Sequence, residues 1–397
     1  MKILYYCLRG TGGAFSNIKL LLKTMADTFP KDEFVLAGMR GMSFGEVEKC
    51  HNVSIVPLAV VGNLELTRIW QGYVGLPQLI KKLHPDIIWC QSLGPYRRVG
   101  IPMVITMNSP HQAYPWDVTR LHPHNPFYVY TLRCFFRRSL RSSDGLITQT
   151  QLMANYISKI KGAPPDIEVI AKSIENESDV PSQPLLAGVK GKMDFGPMSH
   201  SFTWLYVAGL YPHKNHKLLT EVFLLLAKKG IKARVVVTLA AKEFLKLSPG
   251  ADELIEQGYV VPVGWIEKEQ LKALYDACDG CLMPSMLEVL SSAHLEAMAW
   301  GKPQISADMP FARDLCGEAS LYADPGDPPA WVDKIKFVME NSDVRQVLVA
   351  SGRKRLELFP KTWSEVARRT RDFLERIAKS KPSEQGKPEG GEGICGK

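Results

Sequence analysis

The sequence predicts an α/β protein with two doubly wound domains of similar size. Short apolar runs alternate with stretches of helical period along most of the 397 residues. Short apolar strands separated by helices are typical of a parallel sheet that is covered on both faces. A polar stretch rich in Pro and Gly interrupts the pattern, which then restarts. We therefore predict an N-terminal domain over 1–175, a linker over 176–200 and a C-terminal domain over 201–358.

Seven apolar runs in the N-terminal domain predict strands. Between several of them, the spacing of apolar residues predicts helices over 15–28, 125–142 and 151–160. Sheets wound in this way bind ligands at the carboxyl ends of their strands, near the point where the strand order reverses. The predicted strands are KILYYCL, EFVLAG, VSIVPL, DIIWCQ, PMVITM, GLITQT and IEVIA.

The C-terminal domain repeats this alternation of strands and helices. Its predicted strands are TWLYVAG, ARVVVTL, VVPVGW, GCLMPS, PQISA and SLYAD. Its predicted helices cover 215–229, 251–257, 267–278, 291–300, 329–340, 343–357 and 362–378. The last residues, 381–397, are low in apolar side chains, and we expect them to form a disordered tail.

Composition narrows the class of protein. The chain is 45% hydrophobic and 23% charged, which is ordinary for a soluble globular protein. No apolar run approaches the length of a membrane span, and the first residues do not resemble a secretory signal. We therefore expect a cytoplasmic protein.

The positive charge is concentrated in the front half. The formal net charge is +8, and residues 1–180 hold 20 Lys and Arg against 14 Asp and Glu. The segment RCFFRRSLR, residues 133–141, places arginines beside aromatic residues. Such a segment is typical of a solvated helix face, or of a surface attracted to an anionic membrane or an anionic acceptor. No nucleic-acid recognition motif accompanies it, so we expect no nucleic-acid partner.

The eight cysteines do not indicate a disulfide framework, because they are sparse and scattered. Cys278 and Cys281 form one C-x-x-C, where a predicted helix ends and a strand begins. Redox pairs usually lie at the N-terminus of a helix instead. We expect both thiols to pack in the core.

A glycine turn follows the first predicted strand, in the segment RGTGGAFSN. A dinucleotide fingerprint requires G-x-G-x-x-G, but Phe15 occupies the third glycine position. The remaining pattern, Gly12-Gly13-Ala14 before a helix, does not specify one ligand. An NADP-dependent oxidoreductase that uses this turn, with Arg40 as the partner of a 2′-phosphate, stays open as an alternative.

The segment MPSMLEVLSSAHLEAMAWGKPQISAD is the richest in candidate site residues. Its glutamates, Glu288 and Glu296, are eight positions apart. If a helix begins near Ser291, Glu288 lies in the loop before it and Glu296 lies on its second turn. The backbone N–H groups of residues 290–293 then form an anion site with the helix dipole. The alternative is that both glutamates are ordinary exposed helix residues.

Two other strand ends carry polar side chains. In GLYPHKNH, Lys214 is suited to contact a phosphate oxygen and Asn215 to cap the following helix. In ITMNSPHQ, Asn108 and His111 follow a strand of the N-terminal domain. Each of these residues is also compatible with an ordinary loop position. The chain contains no Asp-x-Asp pair, so a lysine and a helix end would have to neutralise a bound diphosphate.

Together these motifs resemble those of the retaining glycosyltransferases of family 4, which have the GT-B fold. PSMLEVLSSAHLEAMAWGKPQISAD matches the family's E-x7-E block, and GLYPHKNH and MPFARDLCGEASLYADPGDP match its HKN subgroup. TGGAFSN occupies the place of the family's N-terminal Gly-Gly loop. The resemblance covers about residues 1–375. It implies two Rossmann-like domains that face each other across a cleft, with a C-terminal helix over 359–380 that crosses back to the N-terminal domain.

The resemblance also implies a role for each matching residue. The catalytic residues would be Glu288 at the hydroxyls of the donor sugar, Lys214 at the diphosphate and His111 beside the reacting centre. Glu296 would hold the ribose, and the loop that contains Trp265 would touch the base. The donor-binding residues would be Gly12, Gly13, Asn108, Gly209, Gly264, Trp265, Ile266, Leu290, Ser291, Ser292 and Glu296.

The implied reaction moves a sugar from a UDP- or GDP-sugar to an acceptor hydroxyl, with retention and without a metal or another cofactor. The implied setting is polysaccharide or glycolipid biosynthesis, with a saccharide or lipid-linked acceptor. The location would be the cytoplasm or the inner face of the cytoplasmic membrane.

Two departures from the family pattern keep a second alternative open. Gly209 stands where the family often has an arginine, so the diphosphate would meet one cation fewer. Val289-Leu290-Ser291 replaces the usual Gly-Phe-Gly, which puts bulkier side chains near the phosphate. A GT-B scaffold without catalytic activity would fit both departures.

Overall fold

The fold is built from parallel strands that are buried on both faces. It is described by a computed structural model for residues 1–8, 12–107, 109–119, 126–174, 183–194, 198 and 201–380. Over these residues, the strands form one seven-stranded and one six-stranded sheet, and all paired strands run parallel. The predicted α/β class is confirmed.

The chain forms two units. Unit 1 holds the described residues of Met1–Val118, Asn125–Ser173 and Pro360–Lys397, and unit 2 holds those of Thr119–His124 and Ile174–Phe359. The chain therefore passes from unit 1 to unit 2 and returns to unit 1 with its last described helix.

Unit 1 contains the seven-stranded sheet. Its strands are β1 (Lys2–Cys7), β2 (Glu33–Met39), β3 (Val53–Leu58), β4 (Ile87–Gln91), β5 (Met103–Thr106), β6 (Gly145–Thr148) and β7 (Asp166–Val169). Their order in the sheet is β3-β2-β1-β4-β5-β6-β7, so the winding direction reverses between β1 and β4. The central strands are fully buried, as expected where helices cover both faces.

Within the described residues of unit 1, six helices connect these strands. They are α1 (Gly12–Thr28), α2 (Leu64–Trp70), α3 (Leu76–Leu83), α4 (Trp116–Thr119), α5 (Pro126–Ser142) and α6 (Gln151–Ser158). A π-helical turn, Gln71–Gly75, joins α2 to α3, and a 3₁₀ turn, Pro110–Gln112, follows β5.

Unit 2 contains the six-stranded sheet. Its strands are β8 (Phe202–Tyr206), β9 (Ala233–Val237), β10 (Val260–Pro262), β11 (Gly280–Met283), β12 (Gln304–Ala307) and β13 (Leu321–Ala323). Their order is β10-β9-β8-β11-β12-β13, so the winding direction reverses between β8 and β11. This reversal point is where such a sheet is expected to bind its ligand.

Nine helices lie in the described part of unit 2. They are α7 (Ala187–Asp194), α8 (His216–Lys228), α9 (Ala241–Leu247), α10 (Asp252–Glu256), α11 (Lys268–Asp276), α12 (Ser292–Ala299), α13 (Pro310–Cys316), α14 (Pro328–Glu340) and α15 (Ser342–Leu356). None of the helices in the described ranges combines the length and the apolar composition needed to cross a membrane.

The last helix, α16 (Trp363–Lys379), completes the core of unit 1. Its buried face packs with residues of β1, β4 and α1. Beside it, Nε of Arg371 donates to Asp32 at 3.1 Å, and the N-terminal ammonium donates to the other oxygen of Asp32 at 2.8 Å. Burial alone would raise the pKa of the Asp32 carboxyl, but these two cations lower it below its usual value.

The predicted strands are all present, and the differences concern helices and turns. The sequence pattern did not predict α2, α3, α4, α7, α9 or α13. The predicted linker over 176–200 contains α7 in its described part, and the predicted tail over 381–397 lies outside the described residues.

The cysteine pair packs as expected. Cys278 and Cys281 are both buried, and neither forms a disulfide. Burial raises the pKa of the Cys278 thiol to about 12 and raises that of Cys281 as well. Both thiols are therefore protonated at neutral pH and unsuited to redox exchange.

Candidate active site

Two candidate residues meet where the strand order of unit 2 reverses. Strands β8 and β11 are neighbours there and run parallel. Lys214 lies in a 3₁₀ turn, Pro212–Lys214, after the end of β8, and Glu288 lies in the loop between β11 and α12. The carboxyl ends of two adjacent parallel strands lie at the same edge of the sheet, so the two loops are brought together.

The two side chains form an ion pair. Nζ of Lys214 donates a hydrogen bond to Oε1 of Glu288. The side chains are only 18 and 14% exposed, so this pair is better shielded from solvent than a surface salt bridge. A charge-assisted bond of this kind stabilises the local geometry more than a bond between neutral groups does.

Backbone and side-chain hydrogen bonds hold the two loops in register. The N–H of Met286 donates to the carbonyl oxygen of His213 at 2.8 Å. The buried hydroxyl of Tyr206 donates to the carbonyl oxygen of Lys214 at 2.7 Å and lies 2.9 Å from Oγ of Ser285. Tyr206 therefore connects the loop that carries the lysine to the loop that carries the glutamate.

Two buried histidines lie beside the pair, His216 on α8 and His294 on α12. Burial lowers the pKa of His216 to about 3, and the Lys214 charge acts in the same direction. Burial likewise lowers the pKa of His294 to about 4, against the opposing effect of Glu288. Both imidazoles are neutral at neutral pH, so neither adds a positive charge to the site.

The helix that follows Glu288 begins where the sequence predicted. Ser291 is the N-cap residue of α12, and its side chain makes no capping hydrogen bond. Ser292 is the first residue of the helix, and Leu290 is half-buried in the loop before it. The N-terminus of an α-helix attracts anions through its N–H groups and its dipole, and this one lies directly after the loop of Glu288.

Glu296 lies on the second turn of α12, as predicted. Its Oε2 accepts a hydrogen bond from the hydroxyl of Tyr275 at 3.0 Å. Tyr275 is fully buried and packs edge-on against Trp300. This tyrosine fixes the direction of the Glu296 carboxylate and was not among the residues predicted from the sequence.

The turn around Lys214 differs from the prediction in one respect. Asn215 occupies the N-cap position of α8, but its side chain accepts no capping hydrogen bond, and its Nδ2 donates to the carbonyl oxygen of Pro325 at 3.1 Å. Its φ of 55° places it in the left-handed region, which Asn tolerates better than most residues. Gly209 faces the ring of Tyr211, which a Cβ atom would approach to 3.2 Å.

The loop expected to touch the base follows β10, which is two strands away from β8 in the sheet. Gly264 adopts a φ of 89° and donates its N–H to Leu239, so the chain turns sharply there. Trp265 is 81% exposed, whereas Ile266 is buried. An exposed indole is suited to stack on a planar ligand.

The candidates of unit 1 lie on different elements. Gly12 and Gly13 form the first residues of α1 instead of a separate turn before it. His111 lies in the 3₁₀ turn after β5, and its carbonyl oxygen accepts a hydrogen bond from Nε of Arg133 at 3.2 Å. Asn108 lies outside the described residues.

The guanidinium of Arg133 contacts backbone and aromatic groups of the protein, so Arg133 does more than add charge to a basic surface. Besides its bond to His111, it donates to the carbonyl oxygen of Tyr114 and lies 5.2 Å from the ring centre of Trp116. Burial lowers the pKa of its guanidinium, and nearby Arg137 acts in the same direction. The sequence predicted only a basic helix here, because hydrogen bonds to distant backbone carbonyls leave no local pattern.

A strained residue marks the reversal point of unit 1. Ser92 follows β4 with a φ of 65°, and its N–H donates to the carbonyl oxygen of Thr106 at 2.9 Å. A non-glycine residue in this region costs about 1–3 kcal/mol and often lies at a functional turn. No sequence signal predicted it.

Fold and site together define a class of protein. The chain has two doubly wound α/β units, and at the reversal point of the second an ammonium and a carboxylate precede the N-terminus of a helix. Such a site is suited to a phosphate ester that also offers hydroxyl groups.

Two family models identify the class more closely. The model "Glycosyl transferases group 1" matches residues 196–355, and the model "Glycosyltransferase Family 4" matches residues 31–177. Together the two models match more than half of the chain, in the order expected for the two units. The chain belongs to the family 4 glycosyltransferases and has their GT-B fold.

Known sequences similar to this chain agree with the family. O-antigen chain mannosyltransferase B of Escherichia coli is 24% identical over 218 residues, which cover 54% of this chain and 56% of that protein. D-inositol 3-phosphate glycosyltransferase of a Nocardioides species is 30% identical over 115 residues, which cover 28% of this chain and 24% of that protein. The chain thus matches about half or less of the length of these relatives.

Solved structures support the fold over nearly the whole chain. Sucrose-phosphate synthase from Thermosynechococcus elongatus superposes with a TM-score of 0.71 at 15% identity, covering 95% of this chain and 98% of that one. The Anabaena protein HepE, in complex with UDP and glucose, superposes with a TM-score of 0.67 at 17% identity, covering 94 and 99%. At these identities the likeness shows the fold alone.

Proposed function

We propose that this protein is a retaining glycosyltransferase that moves a sugar from a UDP- or GDP-sugar to an acceptor hydroxyl. The observation that carries the proposal is the pairing of Lys214 with Glu288 at the reversal point of unit 2, directly before α12. A diphosphate requires positive charge and a sugar requires hydrogen-bond acceptors, and this site offers both side by side. Binding of UDP and glucose by the similar HepE protein supports the same choice of donor.

Each candidate residue takes one part of the donor. Lys214 and the N–H groups at Leu290, Ser291 and Ser292 bind the diphosphate. Glu288 accepts hydrogen bonds from the sugar hydroxyls, and Glu296, oriented by Tyr275, accepts them from the ribose. Residues 264–266, with the exposed Trp265, contact the base.

The family resemblance implies further donor contacts for each unit. In unit 1 it implies them for Gly12, Gly13, Asn108 and His111, with His111 at the sugar, and in unit 2 for Gly209. Water has to be kept from the donor during transfer, because it would otherwise hydrolyse the donor.

The proposed step is a substitution on one face of the sugar. The bond between the anomeric carbon and the phosphate oxygen breaks, and the acceptor oxygen forms the new bond on the same face. The acceptor proton passes to the departing phosphate oxygen. Lys214 and the end of α12 stabilise the negative charge that develops there, so the proposed reaction needs no metal.

The acceptor is proposed to be a saccharide or a lipid-linked saccharide, in polysaccharide or glycolipid assembly. The similarity to an O-antigen chain mannosyltransferase supports this choice. Exposed Phe127, Tyr128 and Tyr130 at the start of α5, followed by exposed Arg137 and Arg138, support contact with an anionic membrane. We propose a cytoplasmic protein that binds the inner face of the membrane peripherally.

The function is tested by incubating the protein with UDP-glucose or GDP-mannose and measuring nucleotide release with and without EDTA. Lys214→Ala and Glu288→Ala should each lower turnover by about 10²–10³-fold, the scale of losing one preorganised charged group. Lys217→Ala is the matched control, because Lys217 is an exposed lysine of the neighbouring turn. Near-normal rates in the first two variants contradict the site, and loss of activity on chelation contradicts the metal-free step.

A scaffold without catalytic activity is the second candidate. Gly209 in place of an arginine and the bulkier residues after Glu288 favour it. Donor binding by calorimetry without detectable hydrolysis or transfer, under conditions in which the relatives are active, would support this candidate over the enzyme.

A further inference from the structure

Lys214 and Glu288, the residues proposed to hold the diphosphate and the sugar, are paired with each other. The carboxylate of Glu288 occupies a hydrogen-bonding position on the Lys214 ammonium. A phosphate oxygen is also an anionic acceptor and would compete for the same ammonium. A ligand that places phosphate on Lys214 therefore has to take the lysine from Glu288 or share it.

The Glu288 carboxylate stays near Lys214, because hydrogen bonds hold the two loops together. The bond between Met286 and His213 joins the two loops, and the Tyr206 hydroxyl joins them a second time through Lys214 and Ser285. Because the backbones are held together, a displaced Glu288 carboxylate stays close to the lysine and to any phosphate bound there.

The two buried histidines beside the pair do not offer a replacement cation, because burial keeps the imidazoles of His216 and His294 neutral. A bare diphosphate on Lys214 would thus leave a half-buried carboxylate beside like charge, which is unfavourable. A sugar changes this balance, because its hydroxyl groups can donate hydrogen bonds to the carboxylate.

We propose that Glu288 is a specificity-determining residue that makes the site favour a diphosphate carrying a sugar over a bare one. The inference rests on the proposed function. While the sugar is present, its hydroxyls engage Glu288 and Lys214 is available to the diphosphate. Transfer removes the sugar, and Glu288 then competes for Lys214 and weakens the hold on the product.

The test compares nucleotide binding by the wild type and by Glu288→Gln, which keeps the size of the side chain and removes its charge. Dissociation constants are measured by calorimetry for UDP, UDP-glucose, GDP and GDP-mannose. The variant should bind the nucleoside diphosphate about tenfold more tightly, within the usual range of coupling between ligand groups. It should not gain affinity for the nucleotide sugar, so the preference for the sugar-bearing ligand falls.

Glu221→Gln is the matched control. Glu221 pairs with Lys217 at 3.4 Å on α8, so the control also removes one carboxylate from a Lys–Glu pair of unit 2, but one whose side chains are 43 and 74% exposed. Its affinities should equal those of the wild type. An equal gain in both variants would trace the effect to overall charge and overturn the inference.

A second measurement needs no variant and covers the case in which Glu288→Gln does not fold. Free glucose or mannose should tighten the binding of UDP or GDP by the wild type, because binding couplings are reciprocal. No effect of either sugar overturns the inference.

The two proposals fail in different ways. If the wild type binds none of the four nucleotides, the proposed function falls and the inference falls with it. If the wild type binds them but Glu288→Gln holds the nucleoside diphosphate no more tightly, the inference alone is overturned and the donor site stands.

Discussion

At the scale of single residues, Tyr206 is the side chain that the sequence could not single out. It ends an apolar strand and reads as an ordinary core residue, yet its hydroxyl connects the Lys214 turn to Ser285. The placement of Lys214 and Glu288 was predictable because charged residues after apolar strands form a local pattern, and that of Glu296 followed from the predicted start of its helix. A hydrogen bond that spans 79 positions of the chain leaves no such pattern.

Tyr206→Phe should therefore lower activity by more than its loss of stability explains. Losing a buried hydroxyl with its partners costs about 1–3 kcal/mol of unfolding free energy. The loosened loops should also raise KM for the donor, because Lys214 and Glu288 are no longer held in register. The measurements are denaturant unfolding and steady-state kinetics.

Tyr322→Phe is the control for this variant. The Tyr322 hydroxyl donates to the carbonyl oxygen of Gly317, in the turn after α13, so its loss should cost comparable stability. The KM for the donor should stay unchanged in Tyr322→Phe. Equal kinetic effects in the two variants would show that Tyr206 contributes only to stability.

At the scale of elements, the strands were more predictable than the helices. Strands buried on both faces read as continuous apolar runs, and the thirteen predicted runs correspond to β1–β13. Helices α2 and α3 were missed because a π-helical turn, Gln71–Gly75, interrupts their period. The pairing of α16 with α1 depends on contacts between opposite ends of the chain, which no local window contains.

The packing of α16 on β6 gives an element-scale prediction. A Cβ atom on Gly145, the first residue of β6, would lie 2.9 Å from Phe373 and 3.0 Å from Ile377. Both side chains are buried in the core of unit 1, so they cannot move freely. Gly145→Ala should lower the unfolding free energy of unit 1 by about 1–3 kcal/mol, the usual cost of overpacking.

Gly188→Ala is the matched control in the same experiment. Gly188 lies in α7, and a Cβ atom there would meet no atom within 4 Å. Alanine should leave stability unchanged or raise it by about 0.5–1 kcal/mol, because glycine is unfavourable inside a helix. Thermal unfolding that ranks Gly145→Ala at or above the wild type would contradict the close packing of α16 against β6.

At the scale of the whole molecule, the positive charge is unevenly distributed. Residues 1–180 carry 20 Lys and Arg against 14 Asp and Glu, within a net charge of +8 for the chain. The structure exposes part of this excess at Arg137, Arg138 and Arg141 of α5, in the same helix as exposed aromatic residues. Aromatic and cationic groups on one helix are the combination that binds the interface of an anionic bilayer.

Membrane binding is therefore expected to depend on charge at α5 and not on charge in general. Full-length protein should co-sediment with vesicles containing phosphatidylglycerol, and the bound fraction should fall as salt is raised. Each cation near such a surface contributes about 1 kcal/mol, so replacing Arg137, Arg138 and Arg141 by Gln should weaken binding by about 100-fold.

Replacing Lys228, Lys229 and Lys232, three exposed lysines of unit 2, by Gln removes the same charge and should have little effect. Equal losses in the two triple variants would assign the attraction to net charge, and wild-type protein that stays in the supernatant would remove α5 as a membrane contact.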